Sequence, residues 1–306
     1  MSTETTKPSL ESTLKSMDTE EFIDIHFYRP IGYRWALFFD KLNISPNTVT
    51  ILGIFIGVAA GICFYFNDLA INILGMFLLV WANSYDSADG QLARMTGKKS
   101  PIGRILDGLC GDFWFITIYV AICLRLMPEW GWWIWVLAAA AGLSHRKQAA
   151  LADYYRNLHL LFLKGKSGSE LENSVQLKQK YETLTWKDNF IPKLFDTFYI
   201  KYTEVQEGET PKMQRMMQII HEKYGENAPE WFRTEFRTYS LPLMKYTNML
   251  SFNTRVIALF VSLLINEPWL YFVFELTVLN GMLIYMKMTH ERFCAKLSCK
   301  LEGETK

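Results

Sequence analysis

Two uncharged apolar stretches, each with acidic residues at one end, constrain this fold more than any other feature of the sequence. Residues 69–85 carry no charge and end at Asp86, and residues 113–124 carry none and begin after Asp112. Stretches of this kind are typical of helices that cross a membrane, where ionisable residues are costly and mark functional sites. We therefore expect a membrane protein whose site lies where its apolar segments end.

Composition narrows the class further. The chain has 306 residues, of which 50% are hydrophobic and 15% aromatic, and its net charge is +1. This composition favours a membrane protein, and the absence of a dominant basic face argues against nucleic acid as a partner. The five cysteines show no C-x2-C pair, so we interpret them as reduced packing residues rather than zinc ligands or disulfides. The polar opening lacks an apolar core, and no signal peptide is expected.

The acidic residues share one face of a predicted helix. Asp86, Asp89, Gly90 and Ala93 fall at i, i+3, i+4 and i+7. Further acids follow on the next apolar segment. Carboxylates that cluster repel one another unless a positive charge lies between them, and oxygen ligands suit a divalent cation.

The segment DSADGQLARMTGKKSPIGRILDGLCGD resembles the signature of the CDP-alcohol phosphotransferase (CDP-alcohol phosphatidyltransferase) family. That signature is D-x2-D-G-x2-A-R, eight residues, then G-x3-D-x3-D. The matching positions are Asp86, Asp89, Gly90, Ala93, Arg94, Gly103 and Asp107. The final aspartate is displaced, since position 111 is Gly and the acid stands at Asp112. The run ISPNTVT at residues 44–50 is also similar to this family.

The resemblance implies a membrane transferase that moves a substituted phosphate from a CDP-alcohol to an acceptor hydroxyl and releases CMP. It implies two divalent ions, Mg²⁺ or Mn²⁺, held by Asp86, Asp89 and Asp107, and it implies a homodimer. Within this interpretation, Gly90 and Ala93 let the cytidine nucleotide lie close to the helix. Arg94 binds a phosphate oxygen, and Gly103 packs beside the nucleotide.

The displaced aspartate bears on catalysis, because the family's last aspartate is usually the general base. Asp112 lies about 140° around an ideal helix from Asp107. A π-bulge would restore its facing, and Gly108 and Gly111 make the backbone permissive. We expect Asp112, together with Asp107, to act in catalysis and as a metal ligand through such a bulge.

Other cations are candidates for phosphate or acceptor binding. Arg255 lies in the inner half of a predicted membrane segment, where an unpaired Arg is expensive, so we expect it to point into the cavity. Arg146 and Lys99 are further candidates. For Arg146, anchoring to anionic lipid is an equally open interpretation.

The pattern predicts an all-α integral membrane protein with six transmembrane helices, an N-terminal interfacial helix and a helical cytosolic insert. The predicted spans are 47–66, 69–95, 103–126, 130–147, 248–265 and 269–289, and the fourth could run on as a long helix to 159. The predicted regions are a disordered cytosolic tail at 1–28, the interfacial helix and four spans at 29–160, the insert at 161–245, and two spans with a C-terminal tail at 246–306. The interfacial helix is expected to have one apolar face, formed by Ile31, Trp35, Phe38, Phe39 and Leu42.

Orientation follows from the distribution of Lys and Arg. Positive residues cluster in the loop 94–104, in the segment 145–147 and in the C-terminal tail, whereas the opposite loops contain none. Both termini and the acidic site are therefore predicted to face the cytoplasm. In the insert, a helix should begin at Thr210-Pro211 and end at Gly225, with its Met-rich face used for packing.

Two substrate arrangements remain open. In the preferred one, CDP-diacylglycerol donates to a small polar alcohol such as inositol, inositol phosphate, glycerol phosphate or serine. In the other, CDP-choline or CDP-ethanolamine donates to a lipid hydroxyl. A cation transporter lined by acids and a catalytically inactive membrane scaffold are the competing classes.

Overall fold

The computed structural model describes residues 10, 16–98, 100–165, 168–169, 171–225 and 227–303, with the backbone alone at residues 101, 102 and 104. Throughout this part of the chain the regular elements are helical, which confirms the predicted all-α class. The helices are α1 (Arg29–Lys41), α2 (Pro46–Cys63), α3 (Leu69–Thr96), α4 (Pro101–Trp130), α5 (Trp133–Lys164), α6 (Ser174–Thr183), α7 (Phe190–Gly208), α8 (Pro211–Tyr224), α9 (Glu230–Ser240), α10 (Met244–Met249), α11 (Phe252–Leu264), α12 (Trp269–Phe274) and α13 (Asn280–Gly303). The π-helical turns Asp24–Tyr28 and Glu275–Leu279 precede α1 and α13, and a 3₁₀ turn, Leu241–Leu243, lies between α9 and α10.

Several helix starts follow from local chemistry. The Ser45 hydroxyl accepts a hydrogen bond from the Thr48 amide at 3.2 Å, and the Ser100 hydroxyl accepts one from the Gly103 amide at 2.9 Å. A proline follows each serine, and its missing N–H costs nothing in the first turn of a helix. These caps set where α2 and α4 begin, close to the predicted positions.

Five helical segments among the described residues are long and apolar enough to cross a membrane. They are Pro46–Cys63, Leu69–Thr96, Ile105–Trp130, Glu230–Leu264 and Trp269–Gly303. The predicted span at 130–147 is not among them, because its apolar part is short and α5 continues into polar sequence up to Lys164. The count of six spans stays a prediction.

The chain forms two compact units. The first contains residues 1–142 and 256–272, and the second contains residues 143–255 and 273–306. Helix α5 therefore contributes to both units, and the predicted insert falls wholly in the second.

In the first unit, α2 packs against α3 and α4 through small residues. Gly53, Gly57 and Gly61 recur every four residues on α2, which brings the backbones close together. A Cβ atom at Gly57 would lie 2.1 Å from Nε1 of Trp114, so this position accepts no side chain. The same indole nitrogen donates to the Gly53 carbonyl at 3.1 Å. The contact sets how closely α4 approaches α2.

Helix α1 also packs in the first unit, against α3. Ala36 and Phe39 are buried there, and Gly32 lies so close that an added Cβ would be 2.8 Å from the Ser87 hydroxyl. Phe38 and Leu42, which were predicted to share the apolar face of this helix, are exposed. The predicted apolar face is thus only partly used for packing against α3, and the interfacial position of α1 stays a prediction. The helical turn Asp24–Tyr28 lies within the region predicted as a disordered tail.

In the second unit, α8 packs against α13. Met213, Met216 and Ile220 are buried in this core, so the Met-rich face is used for packing as predicted. The helix covers Pro211–Tyr224 and is capped by Gly225, in agreement with the sequence analysis. Its N-terminus is capped by a distant residue, because the Glu291 carboxylate accepts hydrogen bonds from backbone amides of the first turn, with Met213 at 3.2 Å.

Candidate active site

Three carboxylates meet in the first unit. Asp86 and Asp89 lie on α3 and Asp107 on α4, and one oxygen of each lies within 4.8 Å of the others. Asp89 is buried, Asp86 is half-buried and Asp107 is exposed. Carboxylates this close repel one another unless a cation lies among them, and an all-oxygen donor set fits Mg²⁺ or Mn²⁺. The exposed member leaves the group open to a ligand.

Helix α2 orients the buried carboxylate. The Thr50 hydroxyl donates a hydrogen bond to Asp89 and also lies 3.1 Å from the Pro46 carbonyl oxygen. Because Asp89 is only 4% exposed, a fixed donor beside it determines which way its oxygens face. Thr50 is the last residue of the ISPNTVT run, so the structure gives that run a role at the site.

The same run fixes the start of α4. The Asn47 amide donates to the Ser100 hydroxyl at 3.2 Å, and that hydroxyl caps α4 at Gly103. A Cβ atom at Gly103 would lie 2.6 Å from Oδ1 of Asn47. The close contact between α2 and α4 therefore explains why residue 103 is a glycine. The sequence analysis had instead placed Gly103 beside the nucleotide.

Arg29, at the start of α1, adds a cation that the sequence analysis did not identify. Its Nε donates to the Glu20 carboxylate at 2.9 Å, and its Nη1 lies 3.5 Å from the hydroxyl of Ser87. The buried Gln91 side chain donates to the Arg29 carbonyl at 3.1 Å, which ties α1 to α3. Arg29 also interacts electrostatically with Asp86. Its guanidinium thus lies at the edge of the carboxylate group.

Arg94 lies one turn beyond Gly90 on α3. A Cβ atom at Gly90 would be 3.4 Å from Nη1 of Arg94, so the guanidinium lies over this glycine. Arg94 interacts electrostatically with Asp89 and Asp107. Its buried Nε has no hydrogen-bond partner among the described residues. Ala93, on the same stripe, is half-buried. The structure therefore keeps the predicted nucleotide residues of α3 next to the carboxylates.

Asp112 does not join the carboxylate group. Residues 107–112 are α-helical throughout, so the predicted π-bulge was wrong. The exposed Asp112 keeps the offset of about 140° from Asp107 that a regular helix gives. Besides Asp107, this part of α4 brings Cys110 to Asp86, with which it forms a side-chain hydrogen bond. At Gly111 an added Cβ would have no described atom within 4 Å beyond its own helix and chain neighbours.

Arg255 does not point into a cavity, which corrects the sequence-based interpretation. In the second unit it is 1% exposed and pairs with the buried carboxylate of Glu275. Its Nη2 donates to the Gln148 side chain at 2.9 Å, and its Nε donates to the Leu250 carbonyl at 3.2 Å. The cost of burying a cation is offset by a buried anion on a π-helical turn rather than by a substrate phosphate.

The other candidate cations are less defined. Arg146 lies on α5 in the second unit and is exposed. Lys99 lies outside the described residues. Neither is placed with the carboxylates by the described structure, so their roles in phosphate binding stay predictions.

A family model matches the part of the chain that contains this geometry. The match runs over residues 43–154 and is described as CDP-alcohol phosphatidyltransferase. Residues 43–154 form a CDP-alcohol phosphatidyltransferase domain. The domain includes Thr50, Asn47 and all three clustered carboxylates, whereas Arg29 lies before it.

Curated relatives of the CDP-alcohol phosphatidyltransferase domain carry related names. An archaetidylinositol phosphate synthase of Pyrococcus horikoshii is 35% identical over 90 residues, which cover 29% of this chain and 46% of the relative. A bifunctional IPC transferase and DIPP synthase of Aquifex aeolicus is 28% identical over 122 residues, covering 40% of this chain and 27% of the relative. Cholinephosphotransferase 1 of Mus musculus is 27% identical over 113 residues, covering 32% and 28%. The matched part thus spans less than half the length of each relative. No solved structure matches the chain.

Proposed function

We propose that the protein is a membrane-embedded transferase of lipid synthesis. It transfers a substituted phosphate from a CDP-alcohol to an acceptor hydroxyl and releases CMP. The observation that carries this proposal is the group of three carboxylates from α3 and α4 within a CDP-alcohol phosphatidyltransferase domain. Oxygen ligands gathered beside an arginine suit a pyrophosphate with divalent ions better than a transported cation, whose acids would be expected along a path.

Two divalent ions, Mg²⁺ or Mn²⁺, would be held by Asp86, Asp89 and Asp107. When bound, such ions neutralise the charge that develops on transferring phosphates. Two features of this chain suit the binding of such ions. The three residues offer only carboxylate oxygens, and Thr50 holds the buried Asp89 in one orientation.

The arginines bind the donor phosphates in this proposal. Arg94 lies over Gly90 beside the carboxylates, and Arg29 lies at the edge of the group with Glu20 as its present partner. A guanidinium binds phosphate oxygens in a bidentate manner and is always charged. Arg29 would exchange its contact with Glu20 for a phosphate oxygen when the donor binds.

The chemistry requires the acceptor to lose one proton. The acceptor oxygen forms a bond to the transferred phosphorus as the bond to the CMP oxygen breaks, and the acceptor proton passes to a carboxylate. We assign that role to Asp107, because it is the exposed member of the group and is reachable by an acceptor. Asp112 is the alternative base, although the regular α-helix gives it no direct route.

For the donor we keep CDP-diacylglycerol, with a small polar alcohol such as inositol, inositol phosphate, glycerol phosphate or serine as acceptor. The relatives named as an archaetidylinositol phosphate synthase and an IPC transferase support this choice. The relative named cholinephosphotransferase 1 favours the second candidate, a CDP-choline or CDP-ethanolamine donor with a lipid acceptor.

The setting of the site is also part of the proposal. We infer six spans, with the first part of α5 as the fourth, α1 in the membrane interface, and a homodimer. The site and both termini would face the cytoplasm, because Lys and Arg concentrate in the loops on that side.

The test is release of CMP by the purified full-length protein in detergent with Mg²⁺. CDP-diacylglycerol would be supplied with each small alcohol, and CDP-choline or CDP-ethanolamine with lipid acceptors. Release with one pair, lost in Asp89→Asn and retained in Arg34→Gln, identifies the reaction. Absence of release with every pair, with the protein monodisperse and binding CDP in a metal-dependent way, contradicts the proposal and favours a scaffold. Absence of CDP binding favours a transporter.

A further inference from the structure

Helix α7 in the second unit has its polarity inverted. A helix that packs on a protein core normally buries its apolar stripe and exposes its polar face. Here three of the four buried side chains are polar, namely Asp196, Thr203 and Gln206, and the fourth is Ile200. The α7 outer face, by contrast, consists of exposed apolar side chains. Its members are Trp186, in the turn before the helix, and Phe190, Ile191, Leu194, Phe198 and Val205 of α7 itself.

The buried face is held by polar contacts. Gln206 donates to the Ala150 carbonyl at 2.7 Å. Oδ2 of Asp196 lies 3.8 Å from Nζ of Lys180 on α6. The Glu207 carboxylate accepts a hydrogen bond from the Ser174 amide at 3.0 Å. These contacts favour the observed rotation of α7, because turning its apolar side inward would break the hydrogen bonds of Gln206 and Glu207. The exposure of the apolar face is therefore imposed by the structure.

The α7 outer face is continuous and long. Around an ideal helix its members from Phe190 to Val205 fall within about 100°, and they extend over roughly 22 Å along the axis. Phe198 is 61% exposed and Phe190 59% exposed. An apolar surface of this size on a protein marks a contact with another apolar surface.

The charges on this side point to a lipid surface. Lys187 and Lys201 are exposed, and within α7 Lys201 shares the angular range of the apolar residues. The acidic Glu204 lies off this face and pairs with Lys178 of α6 at 2.6 Å. Lysines beside an apolar stripe that starts at a tryptophan are typical of a helix lying in the interface of a bilayer with anionic lipid. A second copy packed on this face would instead bring Lys201 into an apolar contact in which the outer face of α7 offers no acidic partner.

We propose that the α7 outer face lies on the surface of the bilayer, with its apolar side chains below the headgroups and with Lys187 and Lys201 at anionic phosphates. Helix α7 is not among the candidate spans of the described residues, and its internal charges prevent it from crossing the membrane. The candidate spans of the same chain would hold the protein in a bilayer, whose surface the α7 outer face would then contact. Helix α7 thereby anchors the otherwise hydrophilic insert to that surface.

The test uses photo-crosslinking from the full-length protein. Benzoylphenylalanine replaces Phe198 in one variant, Leu194 in a second and Glu204 in the matched control, whose side chain is 42% exposed. Glu204 lies about 120° around the helix from Phe198. Each variant is first checked for monodispersity in detergent. It is then reconstituted in vesicles of phosphatidylcholine with a minor fraction of phosphatidylglycerol, irradiated, and analysed by mass spectrometry.

Lipid adducts severalfold more abundant at Phe198 and Leu194 than at Glu204 support the proposal. Adducts that join two copies of the chain at Phe198 overturn it in favour of self-association. Lipid adducts that are absent, or equal at all three positions, also overturn it. For the anionic part, Lys187→Gln with Lys201→Gln should lower the share of phosphatidylglycerol among the adducts at Phe198. An unchanged share overturns that part.

Discussion

The Thr50 hydroxyl donates a hydrogen bond to the Asp89 carboxylate and so joins the N-terminal part of α2 to the acidic group of α3. We expect Thr50→Val, which keeps the shape and removes the donor, to raise the Mg²⁺ concentration needed for half-maximal CMP release by about 10- to 100-fold. Thr50→Ser keeps the donor and should stay close to the unchanged protein. Equal Mg²⁺ dependence of both variants would show that the contact does not orient the carboxylate.

The assignment of the proton acceptor can be tested by comparing two aspartates of α4. Asp107→Asn should reduce the turnover number by about 100- to 10,000-fold, the usual contribution of a general base. Asp112→Asn should keep turnover within severalfold of the unchanged protein, because Asp112 lies outside the carboxylate group. The measurement is CMP release at saturating donor and acceptor.

Gly111→Asp is the companion variant for this prediction. An added side chain meets no described atom beyond its own helix, so the variant should fold normally. It places a carboxylate on the face of Asp107 and should lower the Mg²⁺ requirement. A large loss of turnover in Asp112→Asn, rescued by Gly111→Asp, would instead make Asp112 the base.

Arg29 should act on donor binding. We expect Arg29→Gln to raise the KM for the CDP-alcohol by about tenfold or more, because a hydrogen bond to a charged group contributes about 1.5–3 kcal/mol. The KM for the acceptor should change little. Arg34→Gln, at an exposed position of the same helix, is the control. An unchanged donor KM in Arg29→Gln would restrict Arg29 to its contact with Glu20.

The close approach of α2 and α4 predicts a stability effect. Gly57→Val puts a side chain where Trp114 already lies, and overpacking of this kind costs about 1–3 kcal/mol. The melting temperature in detergent should fall. Gly281→Ala adds a Cβ atom to α13 with no described neighbour within 4 Å and should leave the melting temperature equal or higher. Similar losses in both variants would mean that the Trp114 contact is not limiting.

Glu209 gives the second unit a pH-dependent contact. Hydrogen bonds from Lys147 and Lys287 lower the pKa of this carboxyl from its ordinary value of 4.5. A carboxyl whose pKa is lowered by folding stabilises the fold above that value, and the contribution disappears as the pH falls through the lowered pKa. For partly exposed pairs it amounts to about 0.2–1 kcal/mol.

The melting temperature of Glu209→Gln should therefore lie below that of the unchanged protein at neutral pH. The difference should shrink below pH 4.5. Glu182→Gln, at an exposed position of α6, serves as the control. A difference that stays constant across this range would mean that the charge of Glu209 does not contribute.

Local rules in the sequence predicted much of the fold. A serine before a proline sets the starts of α2 and α4, and Pro211 and Gly225 set the bounds of α8. The spacing of Asp86 and Asp89 also predicted that they share one face of α3. Each of these features depends on residues close in sequence, or on a helix period that sequence alone defines. That Asp107 of α4 joins the two aspartates was implied by the family resemblance.

Features that depend on a distant partner could not be predicted. Arg255 was expected to point into a cavity because Glu275 and Gln148, its actual partners, become its neighbours only in the folded chain. Arg29 carries no local signal of its contact with Ser87. The π-bulge at residues 107–112 was inferred from the displaced aspartate, but a regular helix accommodates the glycines there without strain.

Glu291 has a consequence for the order in which the chain folds. Its carboxylate accepts hydrogen bonds from the amides of Lys212 and Met213, residues synthesised long before it. On the ribosome, α8 lacks this cap, and also its packing partner α13, until α13 has emerged. The central part of the insert therefore completes its fold only after Glu291 has been synthesised, and a nascent chain shortened before Glu291 should leave α8 open to proteolysis.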